Sequence, residues 1–354
     1  MRLTRSAVVL AVVGVLLLVA AAILRFVVVP SVSKLPDDLD VTQEFEGTYS
    51  GLNPAALSGG SGQVLVQDVP VTASRQITAE SVDGDTLVVA RTVERSIGGQ
   101  EDPSGVLRYA VDRTDAESVP APDGAEDVVE SEGLVFTLPL DPSTDTEYRL
   151  WDQTTAQAYP LTYQGEDTLE GRTVYQYRSV AEGEVADPGA LGLPSELSKG
   201  QLSTLAPALA DLLPPGLLAQ LPTLLALLPD SIPLSYTAAT TSVISADAEL
   251  GATIAAESTQ QITASLPLGP QSLDVPFSTI ELASTEASVS ERASDTADSA
   301  GTLNLIGTVL PLIALVLGVL LLAGALVMAR RAGRRPGGGE PPAVVASQRP
   351  TQPV

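Results

Sequence analysis

The chain is 354 residues long and carries 19 Lys and Arg against 43 Asp and Glu, a formal charge of −24, with no His and no Cys. Those two zeros exclude disulfides, thiol nucleophiles, a His general base, Ser-His-Asp and Cys-His catalysis, and any metal site built on His or Cys. Two apolar runs near the ends frame residues 30–302, a stretch long enough for one large domain or two small ones.

Residues 1–6 hold Arg2 and Arg5 and are expected in the cytoplasm. From Ala7 to Leu24 there is no charge and no polar side chain, and after Arg25 the apolar run resumes as Phe26 to Val29. Residues 7–29 read as a transmembrane helix whose Arg25 snorkels to the far interface. A cleaved signal peptide, cut near Ala20-Ala21-Ala22, is the alternative. Its apolar core would run about 7–15 residues, and the longer run here favours an uncleaved anchor.

The first two thirds of 30–302 alternate β-branched and polar residues between turn signals. Strands are expected at Gln63 to Val69, Thr72 to Ser81 and Thr86 to Ser96, with Asp83-Gly84-Asp85 as a hairpin turn. Further strands are expected at Val106 to Asp112, Gly133 to Leu138, Thr162 to Gln164 and Thr173 to Val180. Six of the 13 aromatic residues (Tyr148, Trp151, Tyr159, Tyr163, Tyr175 and Tyr177) fall between 148 and 177, where a packed core explains them better than a ligand cage.

Residues 193–234 differ from their surroundings: 15 Leu and seven Pro in 42 positions, with only four charged side chains. The prolines cut the segment into short pieces and Asp211 would lie in the bilayer, so a third membrane span is rejected in favour of short Pro-started helices. Two readings stand for them, a helical hairpin packed on the sheet and an exposed apolar apex that touches lipid or a partner. On the second, Leu213, Leu217, Leu218, Leu221, Leu224, Leu225 and Leu228 are the candidate ligand-binding residues. Tyr236 to Ser290 then reads as two or three long strands, with helix as the alternative for its Ala-rich pieces.

Leu303 to Ala329 is a 27-residue apolar run closed by Arg330, Arg331, Arg334 and Arg335. It reads as a second transmembrane helix with a stop-transfer signal, which places both chain ends in the cytoplasm. Within it, Ala314 and Gly318 form a small-xxx-small pair able to seat the first helix. Residues 330–354, rich in Pro, Gly and Arg, are expected to be a disordered basic tail.

Between the anchors the balance is 11 basic against 42 acidic residues, or −31. A field of that sign argues against nucleic acid, and against anionic lipid head groups held by attraction at the surface. It leaves the lipid bilayer, an envelope lipid or lipoglycan, and other envelope proteins. Carboxylates are the only metal-like feature: Asp123, Glu126 and Asp127, in a dense acidic loop, suit a weak Ca²⁺ site by donor type. None of the acidic clusters has EF-hand spacing, so solvated surface is the simpler account and no cofactor is expected.

Several segments together resemble one family. These are Arg25-Phe-Val-Val-Val-Pro30, Lys34-Leu-Pro36, DVTQEFEGTYSGLNPAAL at 40–57, LVFTLPL at 134–140, YQGEDTLEGRTVYQY at 163–177, and the C-terminal anchor after TADSAG. They are similar to the actinobacterial membrane proteins of the porin PorA family, over nearly the whole chain to about Arg331. The resemblance implies an envelope location and transfers no catalytic residue.

The expected architecture is a β-rich α+β extracytoplasmic domain between N- and C-terminal transmembrane helices, with short Leu- and Pro-rich helices inserted. The expected function is a non-catalytic envelope protein that binds, transfers or helps assemble a lipid or lipoglycan. A carboxylate-dependent hydrolase of wall glycans is the alternative from another class. A pore ranks third, because the membrane segments are apolar all round and offer no polar lumen.

Overall fold

A computed structural model describes residues 5–53, 64–205, 229–268 and 271–333. Two units emerge from it, Met1–Pro30 with Asn304–Val354, and Ser31–Leu303. The helices in chain order are α1 (Arg5–Ile23), α2 (Val29–Val32), α3 (Lys199–Leu205), α4 (Glu286–Asn304) and α5 (Leu310–Gly333).

In the first unit α1 and α5 pack side by side. Both are apolar on every face, so hydrophobic patterning cannot choose a packing face, and residue size does so instead. The buried residues of α1 are Ala7, Gly14 and Ala21, seven apart. On α5, Pro311, Gly318 and Ala325 repeat the same spacing. A Cβ on Gly14 would lie 2.9 Å from the Gly318 carbonyl oxygen, and one on Gly318 would lie 2.9 Å from that of Gly14. A seven-residue repeat keeps the two seams in register along a left-handed pair. The seam thus includes Gly318 as expected but follows a heptad, and Ala314 is only half-buried. Two π-helical turns, Leu24–Val28 and Leu305–Val309, interrupt the hydrogen-bond ladders where the two chains face each other. Arg25 sits in the first of them.

Helical runs cover Arg5–Val32 and Glu286–Arg331, each long and apolar enough to cross a membrane. They extend beyond the expected anchor ends at Ala7, Leu24, Leu303 and Ala329, since Leu303 falls in α4.

The second unit is built on strands β1 (Asp40–Leu52), β2 (Leu65–Asp83), β3 (Thr86–Ile97), β4 (Gln100–Asp112), β5 (Tyr148–Asp152), β6 (Gln157–Leu169) and β7 (Arg172–Glu184). The short pair β8 (Glu196–Ser198) and β9 (Ser231–Pro233) follows, then β10 (Ser235–Asp247), β11 (Thr253–Leu268) and β12 (Gln271–Ser284). Ten of them form one antiparallel sheet in the order β4-β3-β2-β1-β12-β11-β10-β7-β6-β5. The hairpin turn at Gly84 and the three returning strands agree with the sequence. Three expectations change. The two strands before Asp83 are one long β2, residues 133–138 form only isolated bridges, and the last residues of the 236–290 stretch start α4. Thr285 begins that helix by accepting the Ser288 amide on its hydroxyl at 3.2 Å, an N-cap that ends the strand.

The sheet's edges, β4 and β5, are adjacent in sequence and joined by residues 113–147. That crossover stitches them together: Val111 of β4 bridges Ser118, Glu117 bridges Leu134, and Leu134 bridges Leu150 of β5. Trp151 donates its amide to the Leu134 carbonyl at 2.8 Å, and Ser118 donates to that of Gly133 at 2.8 Å. The circuit closes, leaving no free edge at this level. Closure needs a glycine at 133, where φ is +67° and a Cβ would lie 2.5 Å from the Arg149 carbonyl oxygen.

Inward side chains fill both ends of the closed sheet. At the end where β1 begins, Leu87, Val89, Tyr109 and Val111 pack in one cluster, and Leu134, Leu161 and Tyr177 in a neighbouring one. Leu35 touches both, held by backbone bonds to Arg113 and by the 2.6 Å Lys34–Asp85 ion pair beside it. The aromatic residues are core as expected: Tyr177 meets Tyr148 and Tyr163 edge-to-face at 6.1 and 5.7 Å. At the opposite end Ile262, Tyr236 and Phe277 pack with Leu193, Leu197, Leu202 and Ile232. The base of the Leu- and Pro-rich insertion is therefore core, while its seven candidate leucines, Leu213 to Leu228, lie outside the described residues.

Candidate functional site

Residues paired across adjacent strands point to the same face. Following the register from Phe45 through Ala73 on β2 and Ser284 on β12 identifies the inward set. At mid-height that set turns polar: Gln43, Arg75, Arg91, Thr240, Ser242 and Gln260. A polar belt inside a closed sheet, between two apolar ends, is the feature of this domain that packing alone does not require.

Arg75 and Arg91 are diagonal neighbours, because Arg75 pairs with Val93 and Arg91 with Ile77. Arg75 donates to the Gln43 carbonyl oxygen Oε1 and lies 5.1 Å over the Phe45 ring. Arg91 donates to Gln153 Oε1 at 3.4 Å, and its cation faces the Tyr109 hydroxyl. The Nε of each guanidinium is buried without a hydrogen-bond partner. Burial, and secondarily the charge of Arg91, push Arg75 down to about 9, so it remains a cation at neutral pH. Yet Arg75 retains accessible surface, as do the inward-facing Phe45, Val93, Ile280, Leu282 and Ser258. The β5–β6 turn reaches into this level, where Gln260 donates to Thr154 Oγ1 at 2.8 Å.

Five other cations of the domain are paired with carboxylates, Lys34 with Asp85, Arg108 with Glu80, Arg149 with Glu132, Arg172 with Asp247 and Arg292 with Asp295, while Arg113 donates to the Leu35 carbonyl. Lys34 in turn holds Asp85 below the usual carboxylate range. In a domain with 42 acidic residues, the two belt arginines have no ion pair among the described residues.

The acidic loop does something else. Glu126 and Asp127 line an open depression of about 360 Å³ together with Glu80, Arg108, Gly124 and Val88. Arg108 holds Glu80 through two hydrogen bonds, 2.7 and 3.1 Å, and Asp127 adds to the field on that arginine. Asp123 does not line the depression, and among the described residues no three carboxylates converge on a point that a cation would occupy. No aromatic side chain lines it either.

The belt arginines carry a sequence signal that strand reading alone passes over. Arg75 shares parity with Val71, Ala73 and Ile77, and Arg91 with Val89 and Val93. Two charges on the apolar face of adjacent strands mark an interior that is not all core.

Comparison with solved structures gives faint likenesses. An acyl-CoA thioesterase II from Mycobacterium marinum is 14% identical, with 70% of this chain and 81% of that one covered at a TM-score of 0.11. A MaoC-like dehydratase is 11% identical over 69% of this chain and 75% of its own, at a TM-score of 0.13. Neither score supports a shared fold, and no curated protein matches the sequence. The family model described as Porin PorA, by contrast, matches residues 6–327. Having the two apolar helices and the sheet domain within that match, the chain belongs to the Porin PorA family.

Proposed function

We propose that this protein is a two-pass plasma-membrane protein, both ends cytoplasmic, whose large domain lies outside the cytoplasm and holds an envelope lipid or lipoglycan. Arginines at 2, 5, 330 and 331 support the orientation, since basic residues flanking spans are retained on the cytoplasmic side. The observation that carries the binding reading is the interior of the closed sheet. A polar belt beside the partly exposed inward side chains of Phe45, Val93, Ile280 and Leu282 matches a ligand that is itself amphiphilic. On this reading the domain works by binding rather than by chemistry.

The test is native mass spectrometry of the full chain released from a neutral detergent, with lipid extraction of the same sample. One lipid per chain should survive detergent exchange and disappear in Ser258→Trp, which fills the interior. An apo protein, or a lipid retained equally by the variant, would contradict the reading.

A further inference from the structure

We infer that Arg75 and Arg91 together form the seat for an anionic group, of the phosphate monoester or carboxylate type, at the head of the ligand held inside the sheet. The inference rests on the lipid-binding reading and narrows it from amphiphiles in general to acidic ones. Two guanidinium groups on adjacent strands repel each other, and in a medium of low polarity that repulsion is weakly screened. Protein partners ordinarily relieve it, as they do for Arg108 and Arg172 in this same domain. Here the described partners are neutral: the Gln43 amide, the Gln153 amide, the Phe45 ring and the Tyr109 hydroxyl. Each arginine also keeps a buried Nε without an acceptor.

Leaving a donor of this kind unmade is destabilising, the more so for a charged group, and two such groups side by side are a standing cost in the empty protein. An oxyanion placed between them answers both needs. It neutralises the pair, and its oxygens suit the planar fork of arginine. A balance of −31 repels any anion at the surface, free or lipid-borne, so the apolar part of the ligand decides between sources. The partly exposed inward side chains of Phe45, Val93, Ile280 and Leu282 can contact the tail of an amphiphile, which inorganic phosphate lacks.

The experiment titrates the full chain in a neutral maltoside detergent with three probes: dihexanoyl phosphatidic acid, dihexanoylglycerol and inorganic phosphate. Trp151, the one tryptophan, packs against the Tyr109 cluster and reports binding by its fluorescence. Phosphatidic acid is expected to bind saturably and at least tenfold more tightly than the neutral glyceride. Arg75→Met and Arg91→Met should each remove that preference, weakening phosphatidic acid binding at least tenfold, and melt no lower than the wild type, because an unpaired buried charge is lost. Arg75→Lys, which keeps the charge but not the fork, should fall between and controls for folding. Equal binding of the two lipids by the wild type, or phosphatidic acid binding unchanged in both Met variants, would overturn the seat while leaving lipid binding intact. Saturable inorganic phosphate binding lost in Arg75→Met, with neither lipid bound, would support the seat and overturn the lipid reading.

Discussion

Asp247 shows what a buried charge in this domain normally receives. It is 1% exposed, takes the Nε and Nη2 of Arg172 at 2.8 and 2.9 Å, and accepts the amides of Glu249 and Leu250. Removing it leaves Arg172 with only the longer 3.6 Å contact to Glu249 and frees two turn amides, so Asp247→Ala should destabilise the domain by about 3 kcal/mol in a denaturant titration. Tyrosines give a second residue-level expectation. Burial pushes Tyr236 up to about 12 and raises Tyr109 and Tyr177 as well. A group whose folded pKa is raised stabilises the fold fully below its unfolded value, near 10, and loses that contribution as pH climbs through the folded value. Arg75 has the opposite sign, favouring the fold as pH rises past about 9. Absorbance at 295 nm should therefore show some tyrosines ionising near pH 10 and the buried ones only together with loss of the near-ultraviolet circular dichroism. Ionisation of all eight in one early step would contradict the packing described.

At the scale of elements, the strands with a regular alternation were legible, and so was the Asp83-Gly84-Asp85 hairpin, because local turn chemistry and period-two patterning act over a few residues. The joining of β4 to β5 was not. Residues 133–138 read as a strand because they are apolar, but they run beside each edge for only a bridge or two, a matter of where the sheet ends meet in space. Gly133 is the hinge of that closure, and Gly133→Val should open it, lowering the melting temperature by about 4–8 °C for a loss of roughly 2 kcal/mol. An unchanged melting temperature would mean that the edges are held elsewhere. The membrane hairpin has its own device in the heptad of small residues. Gly14→Leu would drive a side chain into the Gly318 carbonyl and Leu322, and should weaken the pair by about 1–3 kcal/mol in a detergent-unfolding titration. The sequence offered Gly318 as a seat, but apolar residues on every face hid the seven-residue spacing until both helices were seen together.

Across the whole molecule, composition was informative about exclusions and silent about the interior. The absence of His and Cys closed most catalytic routes, and the acidic balance argued against nucleic acid. Neither says that two of the few cations lie inside the sheet without carboxylate partners. The leucine-rich insertion drew attention as a lipid contact because leucine is conspicuous in composition. Its base is core, while its seven candidate leucines lie outside the described residues, and the seat proposed above is the belt. The most direct measurement is site-specific photocrosslinking of the intact chain in its own membrane, with p-benzoylphenylalanine at the inward Phe45 or at the outward Thr259 of β11. The account predicts that the probe at 45 captures a chloroform-extractable amphiphile and that the probe at 259 does not. Silence at 45, or equal capture at both positions, would contradict it.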